Sequence, residues 1–143
     1  MKRKYLCSLA AMLPLLAAAQ SDSIPFKGHF ENSEYNVYLE LNLYENDINV
    51  PAHELFGPLP GYLGKRNNGF YWLVTDGKPS PKGKAVLSMI NDFGSEDLKA
   101  SLTMRNDSTF ILRQEDGSAL KVPDKGKWMK LPKELVLKKK RKQ

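Results

Sequence analysis

Ten consecutive residues, 35–44, alternate without a break. One parity carries Tyr35, Val37, Leu39, Leu41 and Leu43, and the other carries Asn36, Tyr38, Glu40, Asn42 and Tyr44. Successive side chains of a strand point to opposite faces, so this pattern specifies a β-strand with one face in a core and one toward solvent. Residues 98–105 repeat it, with Leu98, Ala100, Leu102 and Met104 set against Lys99, Ser101, Thr103 and Arg105. A chain built on period two must bury a sheet face, and that requirement narrows the fold.

Shorter strand candidates span residues 26–30, 47–50, 62–66, 70–75, 84–90, 108–114, 118–122, 127–131 and 135–138. Between them stand turn-forming residues. Asn68-Gly69 and Asp116-Gly117 accept positive φ and favour tight hairpins, and 105–107 and 45–47 hold similar positions. Residues 77–81 (Gly-Lys-Pro-Ser-Pro) read as a longer connection that no central strand accommodates. Helical periodicity is confined to single turns at 52–56 and 95–98. Many short strands joined by tight turns form an antiparallel up-and-down meander, which protects its edges by closing on itself. The expected fold is all-β, a small barrel of 8–10 strands, with a two-sheet β-sandwich as the alternative.

The first nineteen residues have a different design. Lys2, Arg3 and Lys4 precede an apolar run over 5–16, and Ala17-Ala18-Ala19 supplies small residues for cleavage. This is the layout of a helical secretory signal peptide, too short to span a bilayer and interrupted by Pro14. The expected organisation is a signal peptide over 1–19, one all-β domain over 20–137 and a basic, disordered tail over 138–143. Cys7 is the only cysteine and falls in the signal, so the exported chain would have no disulfide, thiolate or sulfur ligand. Export without disulfides points to the periplasm or surface of a bacterial cell.

Charge excludes one class of partner. The formal net charge is +6, yet residues 20–137 hold 14 basic against 16 acidic side chains, both signs interspersed. Nucleic-acid binding requires a single-signed surface, which this body lacks. The run Lys138–Lys142 is cationic and suggests weak contact with anionic membrane or polysaccharide.

No catalytic signature rises from the chain. His53-Glu54 begins like a zinc-protease helix, but Gly57 stands where the second histidine belongs. Neither cofactor nor metal is expected from two histidines without cysteine, and the acidic stretch 92–97 lacks EF-hand spacing. A hydrolase would need Glu40, Glu54 or His53 to converge in one cleft. Aromatic residues are the stronger lead. Phe70 and Trp72 share one strand face and Tyr71 takes the other, while Tyr62 precedes them across Asn68-Gly69. The loop over 51–64 adds Leu55, Phe56, Leu59 and Leu63 among three prolines and three glycines, suited to plug a barrel end or form a lip over a cavity. Tyr62, Phe70, Trp72 and Phe56 are the expected ligand-binding residues. The function expected is a secreted, non-enzymatic β-barrel binding a small apolar ligand or a glycan. The alternative is a structural or protein-interaction module of the envelope.

Overall fold

The computed structural model describes residues 24–140, so the expected signal peptide and the last three residues lie outside it. Ten strands follow one another: β1 (Lys27–Asn32), β2 (Val37–Asn42), β3 (Gly61–Lys65), β4 (Tyr71–Pro79), β5 (Lys84–Asn91), β6 (Asp97–Met104), β7 (Thr109–Gly117), β8 (Lys121–Asp124), β9 (Lys127–Lys130) and β10 (Glu134–Lys140). Eight of them close an antiparallel barrel in the order β1-β10-β7-β6-β5-β4-β3-β2, and β8 and β9 form a separate two-stranded hairpin. Every neighbouring pair in the barrel is consecutive in sequence except β7 with β10, which the small hairpin interrupts, and β1 with β10, which closes the barrel. It is an all-β barrel of the expected up-and-down kind.

Alternation places the core as read. Val37, Leu39, Leu41 and Leu43 are buried, as are Leu98, Ala100 and Leu102, while Met104 packs against the same cluster from its edge. An eight-stranded barrel is just wide enough for side chains to fill. Here the interior is occupied by Trp72, Phe26, Phe30, Phe110 and a body of leucines, with Phe110 edge-on to Phe30 at 4.9 Å and to Phe26 at 6.0 Å. Leu120, Val122 and Leu131, flanking or within the β8–β9 hairpin, join this cluster and close the end of the barrel where β4 begins.

Four local expectations are corrected. Residues 47–50 form no strand, since only Ile48 bridges Leu59. The loop that follows neither plugs nor rims the barrel. Val50, Ile48 and Leu59 lie on its outer wall, over Tyr62, Tyr71, Leu73 and Ile90. Gly77, Lys78 and Pro79 continue β4 against β5, because β3 pairs with β4 only as far as Val74 and leaves the side of Pro79 with no ladder bond to lose. Gly117 ends β7 opposite Leu98 and makes no hairpin. Its φ is 97°, and a Cβ there would stand 2.6 Å from the Asp97 carbonyl oxygen.

The basic tail is the largest correction. Lys138, Lys139 and Lys140 belong to β10 and pair with Glu31, Phe30 and His29 of β1, which is the seam that closes the barrel. Lys139 follows Leu135 and Leu137 in parity, so it turns inward at the end opposite the hairpin. Its Nζ lies 5.7 Å from the Phe30 ring centre and donates to the Ile24 and Pro25 carbonyls at 2.7 and 3.2 Å. Burial holds its ammonium below the usual lysine value.

Candidate functional site

The β3–β4 connection organises one end of the barrel. Asn67 adopts a φ of 62°, and the Asn68 side-chain oxygen accepts the Phe70 amide at 2.8 Å, so the chain reverses within five residues. From there the alternation sends Phe70 and Trp72 inward and Tyr71 outward. Trp72 is fully buried, and its Nε1–H donates to the Lys121 carbonyl at 2.8 Å, tying the hairpin to the barrel. Phe70 sits at the mouth above it, edge-on at 6.4 Å.

Two further aromatic rings flank Phe70. Trp128 on β9 meets it edge-on at 5.0 Å and Phe93 lies tilted against it at 5.8 Å, yet Trp128 is 54% exposed and Phe93 73%. Both stand on hydrogen-bonded connections. Lys125 and Gly126 take φ values of 53° and 79°, the pair of left-handed residues that a two-residue hairpin requires, and so fix β9. Phe93 stands in a turn organised by Asn91, which is buried. The Asn91 side-chain oxygen accepts the Ser95 and Glu96 amides at 2.9 and 3.3 Å, and its Nδ2 donates to the Ser95 hydroxyl. Lys121 lies over the Trp128 ring at 5.8 Å and pairs with Glu96 at 3.2 Å.

On the outer wall beside the same turn, Tyr38, Tyr62 and Tyr71 pack edge to face at 5.9 and 5.2 Å. Gly64 makes this possible: it lies between Tyr38 and Tyr71 in register, and a Cβ there would come within 3.0 Å of both rings. Burial, reinforced by Tyr38, pushes the Tyr62 phenol well above its ordinary value, and burial raises Tyr38 also. Arg66 stacks over Tyr38 at 5.7 Å and pairs with Glu31. Glu31 also meets His29 Nε2 at 2.8 Å, and this bond, with Arg66 beside it, holds the carboxyl below its usual range. An open depression of about 560 Å³ lies among Tyr38, Lys65, Arg66, Asn67, Asn68 and Tyr71.

The expected ligand residues are thus dispersed. Register places Leu63 opposite Trp72 and Tyr62 opposite Leu73, so Tyr62 and Trp72 face opposite sides of the sheet and share no site. Phe56 lies on a 3-10 turn (Glu54–Phe56), 46% exposed and packed on His53 at 5.7 Å. Only Phe70 reaches the mouth, in the company of Phe93 and Trp128, two residues that sequence reasoning passed over. The signal for Trp128 was Lys125-Gly126 between two short runs. For Phe93 it was an aromatic residue set between Asn91-Asp92 and Gly94. The groups named for a hydrolase have separate partners: Glu40 bonds His29 Nδ1, and His53 Nε2 lies 3.5 Å from Asp92. Asp92 also accepts the Tyr71 amide at 3.2 Å, and its buried Oδ1 has no partner among the described residues. Among those residues no three His, Cys, Asp or Glu side chains gather as metal ligands. Comparison with known protein families, curated proteins and solved structures finds no match to this chain.

Proposed function

We propose that this protein is an exported, non-enzymatic binding protein that takes a glycan on the aromatic surface at the mouth of its barrel. The observation that carries the reading is the pair of exposed rings, Trp128 on β9 and Phe93 in the Asn91 turn, both packed against the buried Phe70. The apolar face of a sugar ring presents polarised C–H groups, and the negative face of an aromatic ring attracts them. Lys121, Glu96 and Asn68 stand around the rings to orient hydroxyl groups. Because side chains occupy the interior, this reading puts the ligand outside the barrel. Titrating the protein with a panel of oligosaccharides, followed by amide chemical shifts, tests it. Binding should perturb residues 67–70, 91–96 and 125–129 and be lost in Trp128→Ala. A protein that stays folded and binds no glycan, or binds equally well as Trp128→Ala, would overturn it.

A second reading, a protein-interaction module of the cell envelope, draws on the uncovered outer wall. There Val86 and Val136 are 50% and 41% exposed beside Lys84 and Arg113, whereas the wall over β3 and β4 lies under the 47–60 loop.

A further inference from the structure

Resting on the reading just given, we infer that the glycan is acidic and that its carboxylate or sulfate group lies in the depression beside the β3–β4 turn. All six side chains lining that depression carry hydrogen-bond donors, and none is a carboxylate. Asn68 uses its side-chain oxygen on the Phe70 amide. Among the described residues neither its amide nitrogen nor that of Asn67 has a partner. Arg66 spends one terminal nitrogen on Glu31, and the rest of its planar fork, anchored over Tyr38, is available for a second anion. Lys65 is mostly buried, and its ammonium is 3.4 Å from Asp124, which leaves two further N–H donors.

Placement joins this depression to the aromatic surface. Phe70 lies between Asn68 and Tyr71 in the chain, with Phe70 turned to the mouth and Tyr71 to the outer wall. A ligand stacked on Trp128 therefore reaches Arg66 by crossing a single turn. Local charge favours the same ligand. The β8–β9 hairpin that presents Trp128 holds Lys121, Lys125, Lys127 and Lys130 against one acid, Asp124, although residues 20–137 as a whole carry 14 basic and 16 acidic side chains. Cationic charge is concentrated on the hairpin that exposes Trp128, where Lys121 alone is paired across to Glu96 of the Phe93 turn, and it draws an anionic chain toward that ring.

The test uses calorimetric titration of the full chain with four probes: a uronic-acid oligosaccharide, its carboxyl-reduced neutral counterpart, a sulfated oligosaccharide, and phosphatidylglycerol vesicles. At least one acidic oligosaccharide should bind about tenfold or more tightly than the reduced one, the margin of one charge-assisted hydrogen bond. Arg66→Gln should remove that margin, so that acidic and reduced sugars bind alike, and added salt should do the same. Whichever of the two acidic probes binds more tightly identifies the anionic group. Equal binding of acidic and reduced sugars, still lost in Trp128→Ala, overturns the acidic specificity and leaves the glycan reading in place. Binding to the vesicles with none to any oligosaccharide overturns both, and assigns the same rings and lysines to a lipid surface.

Discussion

At the scale of single residues, exposure separates the two tryptophans. Trp72 fills the barrel and satisfies its indole nitrogen, so Trp72→Ala should cost about 3–5 kcal/mol through the cavity and the lost contact. Trp128→Ala removes a half-exposed ring and should stay within about 1 kcal/mol in the same urea melts. Asn42 shows where alternation misleads. Its parity is that of solvent, yet it is 2% exposed. The side-chain oxygen accepts the Tyr44 and Glu45 amides at 3.1 Å, and Nδ2 donates to Asp47 at 2.9 Å. Asn42→Ala should therefore cost about 1–3 kcal/mol, where a solvated position would show about 0.5. Periodicity reports which face a residue takes. It does not report what the next loop lays over that face, and so Asn42 was legible as outward but not as buried.

Among the elements, β10 carries the clearest prediction. The register between β1 and β10 consists of His29, Phe30 and Glu31 with Lys140, Lys139 and Lys138. Deleting residues 138–143 removes every one of those pairs and opens the barrel. The melting temperature should fall by roughly 10 °C or more, several kcal/mol for a domain of this size, while removal of 141–143 alone should leave it near the parent value. Equal melting of all three proteins would show that the seam contributes nothing. The inward turn of Lys139 was readable in principle, since it continues the parity of Leu135 and Leu137. A run of five cations reads first as a solvated tail, and that impression hid the period of two. The hairpin over 121–130 hid its role for another reason: strands of four residues are too short to show a period, and their lysines look like ordinary surface.

For the whole molecule, the barrel was legible because two long alternating segments, set among many short strands joined by tight turns, allow little else, and the site was not, because it is assembled at one end from three separate connections. The outer wall gives the protein a pH signature. Tyr62 and Tyr38 hold their protons in the folded state above the ordinary phenol value of 10.0. Above that pH the unfolded chain binds fewer protons than the folded one, so stability is complete below about pH 10 and declines as pH rises beyond it. Tyr62→Phe should flatten that decline in chemical melts taken across the alkaline range. A slope unchanged by the substitution would mean the phenol is not sequestered. Whether a filled barrel recognises its ligand on the outside can be read from tryptophan fluorescence with acrylamide as quencher. In the parent protein the quenchable emission should come from Trp128 and be protected by a bound glycan, and in Trp128→Phe both the quenching and the ligand response should vanish. A ligand response that persists in Trp128→Phe, carried by Trp72, would place the ligand inside the barrel and contradict the account.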